Sequence, residues 1–424
     1  MPSLRPPSSL RWLFLDLNSY FASVEQNEDP HLRGKPVAVL PLMSDATCCI
    51  AASYEAKAYG IKTGTPVWEA KLRCPEITLI SGRHDLYVKY HHRILAEIER
   101  HIPVTDVCSI DEVACALDHS EQTVAIATAL AARIKQGLRD NIGPSIRCSI
   151  GLATSKLLAK IGTNLQKPDG LVVLKPQDLP GPLLKLGLTD LPGISDGNAV
   201  RLARGGVTTL EQFWNLEPRH ARRLLGSVSG ERYWYALHGY DFPEFGTERG
   251  SVSHSQVLAP EARPWEEARL VGRRLAQKAA SRLRRMSLVA NRFGLSMRSV
   301  KGARWAGECE LPGSSDNFAI LAAFEQLWHM AGQQMGTQPL RKTGVWLSQV
   351  EEAAAVQSDL FTAQNTQAQK TQQRHEELSA SMDKLNKKYG RDTVLVGLPA
   401  KKLANYTGTK VAFNRIPDLA EFYE

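Results

Sequence analysis

The first 175 residues alternate between short apolar runs and segments whose apolar residues recur at helical spacing. The apolar runs predict strands at 11–17, 36–40, 104–118 and 145–153, and the helical spacing predicts helices that include 85–101 and 121–140. A chain that alternates strands with helices in this way is typical of an α/β sheet domain.

The pattern changes twice beyond residue 175. Residues 175–242 read as short helices separated by Gly and Pro, and residues 250–350 as two helices with several strands. From about residue 353 the chain is rich in Gln, Ser, Thr and Ala, which predicts a partly disordered tail with a small structured end. We therefore expect a multidomain chain of mixed α/β and α+β type, since domains average roughly 100–200 residues.

Positive charge is concentrated in one quarter of the chain. Residues 250–350 carry 14 Lys and Arg against seven Asp and Glu, which is seven of the whole chain's +8. The densest stretch is predicted to be helical and places four cations on one face: Arg274, Lys278, Arg282 and Arg285. A solvated helix face is the plain alternative, but the concentration of charge favours a surface that binds phosphates.

Several classes of protein are excluded. No run of about 18 apolar residues predicts a membrane span, and the N-terminus lacks the features of a secretory signal. The seven cysteines show no metal-ligand spacing, so we expect reduced thiols in a cytoplasmic protein without a membrane partner. The segment 151–156 lacks the second glycine of a Walker phosphate-binding loop, which argues against that class of NTPase.

Three carboxylates lie close to predicted apolar strands. Asp16 ends the first strand, and strand ends in α/β sheets are where ligands collect. Asp111 and Glu112 are adjacent, so both serve one site only at a hairpin tip or bulge, because neighbouring side chains on a straight strand point to opposite faces. Buried acids need cations, and Mg²⁺ prefers carboxylate oxygens. For Asp16 alone, a helix cap or a salt bridge is the alternative.

The segment Leu-Pro-Gly-Ile-Ser at 191–195 lies between two predicted short helices. This arrangement suits a helix-hairpin-helix, in which backbone N–H groups at a helix start contact DNA phosphates. As a five-residue pattern it fits a plain turn equally well.

Taken in order, five segments resemble the successive motifs of Y-family translesion DNA polymerases. They are DLNSYFASVE at 16–25, YEAKAYGIKTGTP at 54–66, SIDE at 109–112, GLATSKLLAKIGTNLQKPDG at 151–170, and the LPGIS just described. The D-x-N start, QSDLF at 357–361 and MDKLNKKYGRDTV near the end look most like UmuC, the catalytic subunit of DNA polymerase V. The YEAKAYGI motif is closer to DinB-type members, which leaves a DinB-type polymerase as the alternative.

The resemblance implies a right-hand polymerase fold. Its domains would be a discontinuous palm at 11–19 and 86–174, fingers at 20–85, a helical thumb with the helix-hairpin-helix at 175–242, a little finger at 250–352, and the tail at 353–424. It also implies template-directed, error-prone synthesis in the SOS response to DNA damage, with primer-template DNA and dNTPs as substrates.

Site residues follow from the same resemblance. Asp16, Asp111 and Glu112 would be the catalytic acids that bind two Mg²⁺ ions, assisted by the backbone carbonyl of Leu17. Phe21 falls on the steric-gate position that excludes a ribose 2′-hydroxyl, although a core aromatic would show the same pattern. The expected nucleotide-binding residues are Tyr20, Phe21, Tyr54, Lys57 and Lys167. Lys57 stands where many members carry Arg, so it keeps the charge but not the bidentate geometry.

The remaining expected contacts are macromolecular. Gly193 and Ser195 would contact DNA in the thumb, where Ser195 replaces a usual glycine but is still able to cap a helix. The four cations of 274–285 would grip DNA, and Gln357, Leu360 and Phe361 would dock on the sliding clamp. A UmuD-like dimer and RecA are further partners that the UmuC-like subgroup implies.

Two other functions fit less well. A non-catalytic scaffold of the same family would lack the three acids, which are all present. A nucleotide cyclase would have no use for the basic segment, the helix-hairpin-helix or the clamp peptide.

Overall fold

The computed structural model describes residues 8–45, 47–242, 250–353, 366–390, 393–397, 416–417 and 419–422. The chain divides into two compact units, Met1–Glu244 with Thr409–Leu419, and Phe245–Gly408 with Ala420–Glu424. Within the described ranges, no helix has the length and apolar character needed to cross a membrane.

The first unit follows the predicted alternation of strands and helices. Its first half contains β1 Trp12–Leu17, α1 Tyr20–Glu28, β2 Val37–Leu40, β3 Ala51–Ala52, α2 Tyr54–Ala58, α3 Val67–Arg73, β4 Thr78–Ser81 and α4 His84–Glu99. Its second half contains β5 Asp106–Val107, β6 Glu112–Ala116, α5 Val124–Gly137, β7 Cys148–Ala153, α6 Lys156–Leu165, β8 Leu171–Leu174, α7 Asp196–Arg204, α8 Leu210–Trp214, α9 Pro218–Leu225 and α10 Val228–Leu237.

A five-stranded sheet in the order β5-β6-β1-β7-β8 forms the centre of this unit. The middle strand β1 is antiparallel to both β6 and β7, and its residues from Leu13 to Leu17 are buried. Helix α6 packs against β7 and β1. Its approach requires Gly151, because a Cβ there would lie 1.9 Å from the carbonyl oxygen of Ala159. The glycine therefore brings α6 close to the strand that carries Asp16.

Two smaller layers complete the unit. Residues 37–81 form a three-stranded sheet in the order β3-β2-β4, with a small core around Leu40, Ile61 and Val67. Helices α7–α10 pack around an apolar cluster that includes Leu202 and Phe213 and is continuous with Phe14 of β1 and Leu158 of α6.

The second unit consists of a sheet with helices on one face. Its elements are β9 Ser251–Val257, α11 Trp265–Arg285, β10 Leu288–Ser299, β11 Arg304–Ser314, α12 Asn317–Met335, β12 Leu340–Glu352 and α13 Thr366–Tyr389. The strands are antiparallel in the order β11-β10-β12-β9. Helices α11 and α12 pack together on the sheet face that carries Phe293 and Leu347.

Helix α13 lies in the tail that the sequence predicts to be partly disordered, and it is longer than the small structured end expected there. Its 24 residues start inside the Gln-rich stretch and dock on α11 and α12. Arg284 donates two hydrogen bonds, of 2.7 and 2.9 Å, to the carboxylate of Asp383, and the hydroxyl of Ser379 accepts one from the backbone N–H of Asn317. Because this docking face is polar, no apolar periodicity in the sequence indicated it.

Candidate active site

The three predicted acids come from two neighbouring strands and the turn that enters one of them. Asp16 is the penultimate residue of β1 and is 6% exposed. Glu112 begins β6 and lies opposite Asp16 in the ladder, and Asp111 stands just before it at the tip of the β5–β6 hairpin. Of the two arrangements that the sequence allows for the adjacent pair, a hairpin tip or a bulge, the structure shows the hairpin tip.

Hydrogen bonds fix the turn that carries Asp111. The Ser109 hydroxyl donates to Oδ1 of Asp111 at 2.6 Å, and the backbone N–H groups of Cys108 and Ser109 donate to the carbonyl of Glu112. The buried ring of His91 on α4 contacts the carbonyl oxygen of Ile110 through Nδ1 at 2.9 Å. Burial lowers the pKa of His91 to about 4, so the ring is neutral and donates this bond.

Negative charge accumulates where these residues meet. Burial raises the pKa of the Asp111 carboxyl, and the charges of Asp16 and Glu112 raise it further, against the lowering effects of the Ser109 hydrogen bond and of Lys160. A carboxyl group in such surroundings favours a cation beside it.

Two lysines supply positive charge to the acids. The Nζ of Lys160 lies 2.7 Å from Oδ2 of Asp16 and 2.5 Å from Oε1 of Glu112, and the Nζ of Lys167 lies 2.7 Å from Oδ1 of Asp16. Burial by itself lowers the pKa of Lys160, but the charges of Asp16 and Glu112 outweigh it and raise the pKa. Our sequence reasoning selected Lys167 and missed Lys160. In the sequence, Lys160 looks like any other lysine on an amphipathic helix.

The acids have the donor chemistry of a magnesium site. They present hard carboxylate oxygens on two adjacent strands and at the edge of one cleft, which Mg²⁺ prefers. Across the part of the chain that is described, no group of three or more His, Cys, Asp or Glu side chains is arranged to hold a metal ion as it stands. Mg²⁺ sites commonly use one or two carboxylates and take substrate phosphate oxygens as further ligands.

A cleft of about 660 Å³ brings most of the predicted site residues together. The predicted residues that line it are Asp16, Leu17, Tyr20, Phe21, Lys57, Asp111, Glu112, Lys167, Gly193 and Ser195. The structure does not place Tyr54 on the wall of this cleft. Its ring instead packs beneath Lys57, whose Nζ lies 4.3 Å from the ring centroid.

Two aromatic residues at the start of α1 differ in their exposure. Tyr20 is buried, and its hydroxyl donates to the carbonyl of Tyr87 at 2.6 Å, so this group is already engaged. Phe21 is half-buried and presents its ring to the cleft, with the other ring face stacked on Tyr87.

The loop at 191–195 also reaches the cleft. Gly193 has φ +88°, a left-handed conformation that a side chain would strain. Ser195 occupies the N-cap position of α7, but its side chain makes no capping hydrogen bond. Ser195 therefore occupies the expected N-cap position, but its hydroxyl does not form the capping hydrogen bond.

Positive charge in the second unit occurs on both sides of the sheet. The four predicted cations lie on α11, on the helical side, where Arg274, Lys278 and Arg282 are half-buried and Arg285 is exposed. The opposite sheet face is uncovered by α11 and α12 and carries a row of three exposed cations: Arg304, Arg298 and Lys342 on adjacent strands. The clamp-binding candidates Gln357, Leu360 and Phe361 lie outside the described residues.

Comparisons with known protein families agree with this fold. The profile of the impB/mucB/samB family matches residues 15–164, and the profile of that family's C-terminal domain matches residues 249–360. The chain belongs to the Y family of DNA polymerases, and it is a DNA-directed DNA polymerase with the right-hand fold of that family. Helix α13 lies beyond both matched segments.

Individual relatives span nearly the whole chain. The chain is 33% identical to a DNA polymerase IV of Moorella thermoacetica, over 90% of this chain and 94% of that protein. It is 29% identical to DNA polymerase IV 1 of Bacillus subtilis, over 96% and 98%. Among solved structures, a Dbh–Dpo4 chimera of the Y family matches 81% of this chain and 99% of its own with a TM-score of 0.68 at 23% identity. These relatives fit the DinB-type alternative rather than UmuC.

Proposed function

We propose that this cleft performs translesion DNA synthesis of the DinB type, adding a template-selected dNTP to a primer 3′-hydroxyl opposite damaged bases. The observation that carries the proposal is the convergence of Asp16, Asp111 and Glu112 with Lys167 and Phe21 on one cleft. Nucleotidyl transfer needs acids for metal, cations for phosphate and a wall beside the sugar, and this cleft offers all three.

Asp16, Asp111 and Glu112 would hold two Mg²⁺ ions, with the carbonyl of Leu17 as a further oxygen donor. Bound there, the ions would lower the pKa of the attacking hydroxyl and neutralise charge on the phosphates. The chain's own contribution is positional. The hairpin bonds of Ser109 hold the Asp111 carboxylate at the cleft, and the ladder keeps Glu112 beside Asp16.

Lysines would bind the triphosphate of the incoming nucleotide. Lys57 and Lys167 line the cleft on the fingers and palm segments, and their ammonium groups match phosphate oxygens as point charges. Lys160 would keep the acids compact by bridging Asp16 and Glu112. Phe21 would exclude a ribose 2′-hydroxyl by occupying the space beside the sugar. In this proposal the palm, fingers, thumb and little finger have the boundaries given above.

DNA would be gripped by the loop at Gly193 and by the second unit. The row formed by Arg304, Arg298 and Lys342 lies on the sheet face that α11 and α12 leave uncovered, and its charge suits a duplex backbone. The α11 cations are a second candidate for the DNA contact. Docking of Gln357, Leu360 and Phe361 on a sliding clamp remains part of the proposal. The SOS response remains a prediction from the family resemblance, and the UmuD-like dimer and RecA remain predictions from the resemblance to UmuC.

Primer extension by the purified chain tests the proposal. With Mg²⁺ and dNTPs, we expect template-dependent addition on undamaged DNA and addition opposite an abasic site. DNA binding without any extension, in Mg²⁺ or Mn²⁺, would instead indicate the non-catalytic scaffold of the same family.

A further inference from the structure

Behind the ring of Phe21 lies a second ring that is completely buried. The Phe21 and Tyr87 centroids are 4.3 Å apart with their planes only 14° from parallel, and Tyr87 has 0% exposure. The position of the Tyr87 ring therefore determines how far the Phe21 ring can retreat from the cleft, since packed side chains move only with their neighbours.

A buried carboxylate holds the far end of Tyr87. The Tyr87 hydroxyl donates to Oε1 of Glu25 at 2.7 Å, and Glu25 is 1% exposed. The guanidinium of Arg83 binds the same carboxylate, donating from Nε to Oε1 at 3.2 Å and from a terminal nitrogen to Oε2.

Residue spacing on α1 and α4 brings the stacked rings and the charge pair together beside the cleft. Phe21 and Glu25 are four residues apart on α1 and thus share one face, and Arg83 and Tyr87 have the same spacing at the start of α4. The two helices meet through these four side chains, so the stacked rings and the charge pair form a single packed unit.

The charges in this unit are satisfied but costly. Burying a carboxylate is unfavourable by several kcal/mol unless it is paired and hydrogen-bonded, and apolar side chains of the same volume often stabilise a fold equally well. Burial and the charge of Glu25 raise the pKa of the Tyr87 hydroxyl, so it stays a proton donor at neutral pH. Unlike an apolar neighbour, the carboxylate accepts a hydrogen bond from the Tyr87 hydroxyl and so fixes the position of the Tyr87 ring.

We propose that Glu25 is a positioning residue for sugar discrimination: it grips the Tyr87 hydroxyl, and Tyr87 in turn fixes the Phe21 ring against the sugar of the incoming nucleotide. This inference rests on the proposed function, in which Phe21 is the gate. A purely structural role would weaken folding, or lower activity with deoxy- and ribonucleotides in parallel, without changing their ratio.

The test compares kcat/KM for one dNTP and the matching rNTP in single-nucleotide primer extension. Glu25→Gln keeps the shape of the side chain but removes its charge, and Tyr87→Phe keeps the stacked ring but removes its hydroxyl. The matched control is Glu97→Gln, a buried acid on α4 that pairs with Arg100 and His101 instead. Thermal unfolding of each variant reports whether it is folded.

We expect both Glu25→Gln and Tyr87→Phe to lower the preference for dNTP on the order of tenfold, since small misplacements at a packed site change rates strongly. The improved use of the rNTP should appear as a lower KM for the rNTP, with kcat for the dNTP preserved. Glu97→Gln should keep the wild-type ratio of kcat/KM between dNTP and rNTP. A ratio that stays at the wild-type value in folded Tyr87→Phe and Glu25→Gln overturns the inference, as does the same loss in Glu97→Gln.

Phe21→Ala separates the two levels of the proposal. If Phe21→Ala fails to admit ribonucleotides, the gate itself is misassigned and the proposed function loses that part. If Phe21→Ala admits them while the Glu25 and Tyr87 variants do not, only the positioning role of Glu25 is wrong.

Discussion

The ammonium nitrogen of Lys160 lies 2.7 Å from a carboxylate oxygen of Asp16, although 144 positions separate the two residues. The contact exists because Gly151 allows α6 to approach the sheet and because Glu112 stands opposite Asp16 on β6. One lysine thereby joins the two strands that carry the acids, and it links the fold of the unit to its chemistry.

Lys160→Met should destabilise the protein by about 2 kcal/mol at neutral pH, because it removes the cation that pairs with both the buried Asp16 and the half-buried Glu112. Lys160 has a raised pKa in the folded state. Its contribution is therefore complete below its unfolded pKa of about 10.4 and is lost as pH rises through the higher folded value. Chemical denaturation of wild type and Lys160→Met at pH 7 and pH 11 measures this difference in the free energy of unfolding and its dependence on pH.

Lys156→Met is the matched control for that experiment. Lys156 precedes Lys160 by four residues on the same helix and pairs with Asp106, whose side chain is 43% exposed. Its loss should cost at most about 1 kcal/mol. Equal effects of the two substitutions on the free energy of unfolding would mean that Lys160 contributes no more than an ordinary surface ion pair.

Phe21→Ala should raise the kcat/KM for ribonucleotides by on the order of 10²-fold, because it opens the cleft wall where a 2′-hydroxyl would clash. Incorporation of dNTPs should change far less. Single-nucleotide extension with paired dNTP and rNTP substrates measures this, and unchanged rejection of rNTP would return Phe21 to the role of a core aromatic.

Charge reversal distinguishes the two candidate DNA grips. The double variant Arg298→Glu with Lys342→Glu should bind the template more weakly. The logarithm of its binding constant should also fall less steeply with the logarithm of salt concentration, by the equivalent of about two phosphate contacts. The comparison variant is Arg274→Glu with Lys278→Glu on α11. A change confined to the α11 variant would place the grip on the helical side, and a wild-type slope in both would exclude the second unit as the main contact.

Deletion of Gln357–Phe361 should abolish stimulation of synthesis by the sliding clamp, because the apolar pair Leu360 and Phe361 would no longer reach a hydrophobic pocket. Distributive synthesis without clamp should be unaffected. Extension lengths with and without clamp provide the measurement, and clamp stimulation that survives the deletion would assign docking elsewhere.

The sequence predicted those parts of the site that depend on local pattern. The apolar run before Asp16 indicated a buried strand, and the adjacent acids at 111–112 required a hairpin tip or a bulge. The β5–β6 turn provides the hairpin tip. The helices near 85–101 and 121–140 were predicted within a few residues, since their apolar spacing is regular.

The remainder depends on long-range contacts between polar residues, which leave no periodic signal. Lys160 looks like any solvated lysine of an amphipathic helix until β1 and β6 lie beside it. Glu25 looks like an exposed acid until Arg83 and Tyr87 enclose it. Helix α13 docks through Ser379 and Asp383, so its composition resembled a linker.

Asp111→Asn should increase the stability of the folded protein at neutral pH while it lowers primer extension. Burial, more than any other influence, raises the pKa of Asp111. An acid with a raised folded pKa loses stability as pH climbs from its unfolded pKa through its folded one, so the charged form is unfavourable at neutral pH. The neutral amide should therefore stabilise the protein at pH 7 and not below pH 3.

Primer extension by Asp111→Asn is the most direct test of the acid site. With Asp106→Asn on the same hairpin as the matched control, we expect Asp111→Asn to lose extension by at least about 10²-fold. The control should extend like wild type. Extension by Asp111→Asn at the wild-type rate would contradict the assignment of these carboxylates to catalysis.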